Sequence, residues 1–268
     1  MKKILYHLII ASSLPILIQT VSAQTTILTD DFTVDQNVTQ NPDYMLASRQ
    51  TGTQAPSGYT LFNNPNQQLG NSTDVGQPGS NPNYLLLLNG GAYNNLGFSD
   101  AVLGGNNPLS ISFDLYSGLS GSDWMSFQIG SVAGVTTGPN QTDFGFLVRP
   151  NMSGLQVFNG TTAVVDVGAG IVTDSLWTLT FTGAGGIGSP FDGSTEVTAY
   201  NGVNLIYQGT LSTAFDSTSD VFGFQSLGVV GGIDNLNVAA VPEPGTMALA
   251  GLGGLSLLLL RRERISFK

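Results

Sequence analysis

Apolar and polar residues alternate along much of the chain. Leu109-Ser110-Ile111-Ser112-Phe113-Asp114-Leu115 does so strictly, and so does Trp177-Thr178-Leu179-Thr180-Phe181-Thr182. A period of two sends successive side chains to opposite faces, so each run predicts a strand with one buried face and one wet face. Thr195 to Tyr200 and Val203 to Gln208 flank Asn201-Gly202, while Leu155 to Phe158 and Ala163 to Val167 flank a loop containing Asn159-Gly160. Asn-Gly tolerates the positive φ angles of a type I′ turn, so both pairs predict hairpins. Further strands are expected at 26–33, 84–88, 124–130, 144–149, 220–226 and 233–238, about a dozen in all. No segment shows the helical period over any length, and no fixed repeat is present. The stretch from Gln36 to Pro82, rich in Asn, Gln, Pro and Gly, is expected to wander over sheet edges. Two antiparallel sheets packed face to face would bury the alternating positions. The expected fold is therefore all-β, a single antiparallel β-sandwich over residues 24–240.

Two apolar runs stand outside this pattern. At the N-terminus Lys2 and Lys3 precede an apolar stretch from Ile4 to Ile18, followed by Val21-Ser22-Ala23. That is the layout of a secretory signal peptide over residues 1–23, cut between Ala23 and Gln24; the plainer alternative is an uncleaved anchor. At the other end Val241-Pro242-Glu243-Pro244 is followed by the uncharged segment Gly245 to Leu260 and then by Arg261-Arg262-Glu263-Arg264. A helix over 245–260 rises only about 24 Å, against about 30 Å of hydrocarbon, so it makes a marginal transmembrane anchor. Gly251, Gly253 and Gly254 weaken it further. The arginines belong on the cytoplasmic side, which sends the body across the membrane. Proline on both sides of Glu243 keeps that segment extended and open to a processing enzyme.

This tripartite tail resembles the PEP-CTERM sorting signal of Gram-negative bacteria that make exopolysaccharide. The resemblance covers 241–268 and implies that Pro242, Glu243 and Pro244 are recognised by a membrane cysteine transpeptidase, the exosortase. It also implies that the helix and the basic cluster at Arg261 and Arg262 hold the substrate in the inner membrane until the tail is cut. Signal peptidase and exosortase are then partners during export, and the product belongs to the cell envelope or the extracellular space. The tail departs from the pattern in running on through Ile265-Ser266-Phe267 to Lys268; an ordinary single-span anchor is the alternative. The strand order is similar to the concanavalin-A-like, laminin-G-like jelly roll, through Phe144 to Arg149, Trp177 to Phe181, the Asn201-Gly202 hairpin and Gly232 to Leu236. In that family the first and last strands often lie side by side, which would bring Asp30-Asp31-Phe32 near Ile233-Asp234-Asn235.

Composition removes several chemistries. The chain has no cysteine, and its one histidine is His7 in the leader, so the mature chain lacks disulfides, thiol nucleophiles and histidine bases. Between residues 24 and 240 only Arg49 and Arg149 stand against 16 acids, a net charge of −14. Nucleic acid and anionic lipid are excluded as partners of the body, because almost no cation is present to displace counterions. The body has a single glutamate, Glu196, and no E-x-D-x-E pattern of the kind a glycan-cleaving sandwich uses. Glu196 reads as a solvated strand position, and the chain as no enzyme. Arg49 and Arg149 are expected to pair with carboxylates such as Asp43 or Asp143.

Two binding sites are candidates. If the terminal strands pair, Asp30, Asp31, Asp234 and Asn235 could offer oxygens to a structural Ca2+; otherwise they cap turns. No other cofactor is expected. For carbohydrate, Trp124 alternates with Ser126 and Gln128, opposite Met125, Phe127 and Ile129, which puts its ring on the polar face beside Tyr116 and Asp114 of the preceding strand. The alternative has Trp124 closing the end of the sandwich. Trp177, on a face with Leu179 and Phe181, belongs to the core. These readings favour a non-enzymatic envelope or matrix protein that associates with exopolysaccharide. A dedicated lectin-like module and a glycan hydrolase with an unrecognised site are the alternatives.

Overall fold

The alternation of the sequence becomes fifteen strands in the computed structural model. It describes residues 25–30, 32, 60–62, 68–70, 84–88, 90–95, 108–117, 124–149, 154–168, 171–183, 194–213, 219–228 and 230–241. The strands are β1 (Thr25–Asp30), β2 (Thr60–Phe62), β3 (Gln68–Gly70), β4 (Tyr84–Leu88), β5 (Gly91–Asn95), β6 (Leu109–Ser117), β7 (Trp124–Gly130), β8 (Phe144–Val148), β9 (Gly154–Asn159), β10 (Thr162–Gly168), β11 (Leu176–Gly183), β12 (Thr195–Asn201), β13 (Asn204–Thr210), β14 (Val221–Leu227) and β15 (Val230–Ala240). An eight-stranded sheet runs β13-β12-β11-β6-β15-β4-β3, with β1 also paired to β15. A seven-stranded sheet runs β10-β9-β8-β7-β14-β5-β2. The ladders are antiparallel throughout. The chain changes sheet from β4 through β7 at every step and again from β13 to β15, the crossing pattern of a jelly-roll sandwich.

All twelve expected strands are present. Three more, β2, β3 and β5, are additions. Strands of three residues are too short to display a period, and Gly91-Ala92-Tyr93-Asn94-Asn95 has no β-branched residue to signal one. β2 and β3 lie within the Gln36–Pro82 stretch and form one outer edge of each sheet. β15 is the longest strand because it serves three partners: β6 along one side, and β4 then β1 along the other. The pairing of first and last strands is as expected, with Thr25 opposite Ala240 and Asp30 opposite Leu236. The signal peptide and the C-terminal apolar segment lie outside the described residues. Among the described residues no helix is long and apolar enough to cross a membrane.

Between the sheets an aromatic cluster sits within an aliphatic core. Phe113 of one sheet stacks on Phe127 of the other at 5.1 Å and meets Phe224 edge-on at 4.9 Å. Phe146 stacks on Trp177 at 4.1 Å, which places Trp177 in the core as its alternation required. Such contacts add about 0.5–1.5 kcal/mol per pair to the burial of the rings. The indole Nε1 of Trp177 is left without a partner in this dry interior.

The hairpins form where expected but with a different turn. In β12–β13 the loop is Gly202-Val203, closed by the pair Asn201 and Asn204; in β9–β10 it is Gly160-Thr161, closed by Asn159 and Thr162. Gly202 and Gly160 have φ of 55° and 60°, while Val203 and Thr161 stay at negative φ. Positive φ at the first central residue alone is the type II′ pattern, not type I′. The asparagine is thereby the last strand residue, and its side chain is free to tie neighbouring segments. Asn201, fully buried, accepts from the Thr173 and Asp174 N–H groups at 2.9 and 3.1 Å and donates to the Asp174 and Leu176 carbonyls at 2.6 and 3.3 Å.

A short helix not anticipated from sequence, α1 (Val132–Thr137), follows β7 and leads into a 3₁₀ turn, Pro139–Gln141. Six residues give too little periodicity to read. Ser131 caps α1 by accepting from the Gly134 N–H at 3.3 Å, and Gly138 ends it.

Candidate functional site

The outer face of the seven-stranded sheet follows from β7. Met125, Phe127 and Ile129 point inward and are fully buried, so Trp124, Ser126 and Gln128 point outward. Cross-strand register then sets their neighbours. Ser126 stands between Leu147 and Gln225, and Gln128 between Gly145 and Gly223. The two glycines make room for the segment after β7. A Cβ on Gly223 would lie 2.6 Å from Cγ1 of Val135 in α1, and one on Gly145 would lie 2.8 Å from the Pro139 carbonyl oxygen. The strap of α1 and the 3₁₀ turn therefore seats over this part of the face. Beneath it the Gln128 amide donates to Ser126 Oγ at 2.7 Å and to Gln225 Oε1 at 3.1 Å, and Gln128 Oε1 has no partner.

Beyond the strap, Trp124 and Arg149 are partly exposed. Met125 pairs with Val148, so Trp124, the first residue of β7, and Arg149, the residue after β8, stand at adjoining outward positions. The stem of Arg149 lies over Gly154, where a Cβ would come 3.2 Å from its Cγ. Its Nη2 donates to Gln156 Oε1 at 3.5 Å, and the exposed Asp166 stands across from Gln156 on β10. Trp124, Arg149 and Gln156 are all half-buried. Sequence reasoning located Trp124 on this face but missed its neighbours, because they come from strands distant in sequence.

Two sequence expectations are corrected here. Tyr116 and Asp114 do not lie beside Trp124: β6 belongs to the eight-stranded sheet, so consecutive strands in sequence sit in opposite layers and their outer faces point apart. Asp114 is instead a structural knot. Its Oδ1 accepts from Ser175 Oγ at 2.9 Å and its Oδ2 from Asn235 Nδ2 at 2.8 Å, tying β6, the loop before β11 and β15. Tyr116 is half-buried on the same outer face, opposite Gly232. Nor does Arg149 pair with Asp143, whose Oδ1 accepts from Thr213 Oγ1 at 2.5 Å. Arg49 and Asp43 lie outside the described residues. Glu196 is exposed on β12, as expected of a solvated strand position.

The residues expected to hold calcium lie around the ladder of β1 with β15. Asp30 and Asp234 are both buried, on neighbouring strands. Asp30 Oδ1 accepts from the Phe32 N–H at 2.8 Å, and Asp234 Oδ1 from the Asn235 N–H at 2.7 Å. A bulge between Asp234 and Asn237 puts Asn235 at φ 51° and sends its amide to Asp114. Asp31 lies outside the described residues. Among the described residues no group of three or more acids is placed to hold a metal.

The sorting residues Pro242, Glu243, Pro244, Arg261 and Arg262, and the cleavage pair Ala23 and Gln24, lie outside the described residues, but the tail matches a known signal. Residues 240–264 match the PEP-CTERM protein-sorting motif. The sequence has no match among curated proteins. Among solved structures the chain is similar to a protein of unknown function from Shewanella oneidensis MR-1, at 15% identity and TM-score 0.47, over 82% of this chain and 90% of that one. It is also similar to the catalytic domain of a glycoside hydrolase family 131 protein from Coprinopsis cinerea, at 11% identity and TM-score 0.44, over 82% and 96%. A third is the binding domain of botulinum neurotoxin serotype D, at 12% identity and TM-score 0.43, over 85% of this chain and 52% of that one. The chain is an exported β-sandwich protein that carries a PEP-CTERM sorting motif.

Proposed function

We propose that the precursor is held in the inner membrane by its C-terminal apolar segment, cut near Pro242-Glu243-Pro244 by an exosortase, and released to the envelope or matrix as a non-catalytic sandwich that contacts exopolysaccharide. The motif over 240–264 is the observation that carries this reading. The chemistry of the body supports binding over turnover, since it has no histidine or cysteine and a lone, exposed glutamate. For the glycan contact the residues best suited are Trp124, Arg149 and Gln156. The C–H face of a sugar stacks on an indole, and guanidinium and amide groups take its hydroxyls. Tyr116 and Asp114 leave the candidate set because they belong to the other sheet.

Replacement of Pro242-Glu243-Pro244 by alanines is expected to leave an uncut precursor in the membrane fraction; normal maturation of that variant, seen by intact-mass spectrometry, would overturn the sorting reading. Titration of the mature protein with host exopolysaccharide should show binding that Trp124→Ala weakens. Saturable, selective binding to one glycan on an array would favour the dedicated lectin. Turnover of a polysaccharide, lost with Asp114→Asn or Glu196→Gln, would favour the hydrolase.

Calcium at Asp30, Asp31, Asp234 and Asn235 is retained as a secondary proposal. It is supported by the pairing of β1 with β15 and by two buried carboxylates on adjacent strands.

A further inference from the structure

We infer that the glycan this protein contacts is acidic: Arg149 takes a sugar carboxylate while a neighbouring ring stacks on Trp124. The inference rests on the glycan reading above and goes beyond it by naming the chemical class of the ligand.

Register builds the site before charge is considered. Leu227 of β14 stands opposite Trp124 of β7, and Arg149, directly after β8, adjoins Trp124. The Arg149 N–H donates to the Gly154 carbonyl of β9 at 2.9 Å, and Gly154 stands opposite Gly168 of β10. One row therefore crosses β14, β7, the end of β8, β9 and β10, at about 4.8 Å per step. Leu227 is 43% exposed, Gly168 is exposed, and Trp124 and Arg149 are partly so. The row is apolar at one end, cationic in the middle and bare backbone at the other. A step between strands is comparable to the length of a pyranose ring. An extended glycan laid along the row thus meets the indole with one sugar and the guanidinium with the next.

The way Arg149 is held points to a ligand rather than to the fold. Its stem lies against Gly154, where a Cβ would come 3.2 Å from Cγ. Its Nη2 reaches Gln156 Oε1 at 3.5 Å, a long bond to a neutral acceptor. A guanidinium carries five N–H donors in a rigid fork that fits both oxygens of a carboxylate at once. An arginine kept to secure the fold would turn that fork to one of the 16 acids of the body. Asp143, the acid expected to receive it, accepts from Thr213 instead, and Asp166 stands opposite Gln156 on β10. The Gln156 amide holds the fork over the row without neutralising it.

Charge narrows the ligand further. A body of net −14 repels a polymer charged at every sugar. Salt screens that repulsion over about 8 Å at physiological ionic strength, whereas a carboxylate touching a partly buried Arg149 is screened less. The ligand is therefore a mostly neutral glycan with scattered acidic sugars. A sulfate ester offers similar oxygens, and the test separates the two sources.

The test is isothermal titration of the protein purified from its host with host exopolysaccharide in three forms at one ionic strength. These are the native polymer, a carboxyl-reduced polymer in which uronates have become neutral hexoses, and a desulfated polymer. Native and desulfated forms are expected to bind alike. Reduction is expected to weaken binding about tenfold or more, as the loss of hydrogen bonds to a charged group does. Arg149→Gln should lower the native polymer to the level of the reduced one, and Arg149→Lys, which keeps the charge but not the fork, should fall between. Trp124→Ala should weaken both by the same factor. Asp166→Asn removes a like charge from beside the site and should tighten the native polymer alone. All these positions are exposed or partly so, and circular dichroism checks that the fold survives. Reduction without effect, weakening on desulfation alone, or an Arg149→Gln variant that still distinguishes native from reduced polymer overturns the inference and leaves the glycan contact standing. Absence of binding to every form overturns the contact as well.

Discussion

Asn201 shows how one side chain can carry a corner of the fold. Its amide makes four hydrogen bonds to backbone groups of the 173–176 segment, all in a fully buried position. Asn159 does the same at the second hairpin, donating to the Thr210 carbonyl at 2.7 Å and accepting from the Ser212 N–H at 2.7 Å. Asn201→Ala takes the partner from the Thr173 and Asp174 N–H groups and from the Asp174 carbonyl, while the Leu176 carbonyl keeps the Gly202 N–H at 2.9 Å. A loss of about 2–4 kcal/mol in urea denaturation is expected, given about 1–3 kcal/mol for each buried group abandoned and partial rescue by water. The hairpins were legible from Asn-Gly, but the role of the asparagine was not. The motif signals a tolerance for positive φ, and only the register tells which of the two residues takes it.

At the scale of elements, the strands that could be read were those with enough length to alternate. β6, β11 and β12 announce themselves because each buries one face and wets the other. β8 and β14 are buried on both faces, with Leu147 and Val221 as apolar residues on the outward side, so their burial does not alternate. The reason is the strap formed by α1 and the 3₁₀ turn, which shields part of the outer face of their sheet. That strap depends on two bare backbone positions. Gly145→Ala sets a methyl 2.8 Å from the Pro139 carbonyl oxygen and 3.1 Å from its Cα, backbone atoms that cannot swing aside. The expected outcome is a destabilisation of about 1–3 kcal/mol with faster proteolytic nicking between residues 131 and 142, followed by mass spectrometry of the fragments.

For the whole molecule, the sorting motif was legible in the sequence, whereas the surroundings of Trp124 were not. The tail is a linear signal, and no folding is needed to read it. The glycan candidates depended on which sheet each strand joins, and that is a property of the complete topology; neighbours in sequence such as β6 and β7 are separated by the full thickness of the core. A body of net −14 also makes any bound cation a whole-molecule matter. On the calcium proposal, melts at matched ionic strength should show a Tm a few degrees higher in calcium than in chelator, and Asp234→Asn should remove the difference. Equal melts would withdraw the ion.

The ladder that sets Thr25 opposite Ala240 has a mechanical consequence. A force pulling those two residues apart would peel β1 from β15 one bond at a time, the geometry in which a sheet is weakest. A force on Ala240 alone meets a different resistance, because β15 is gripped by β6 on one flank and by β4 and β1 on the other, and its bonds must break together in shear. A load applied at Ala240 with Thr25 unloaded would thus meet the shear of β15 against its three partners instead of the peeling of one pair.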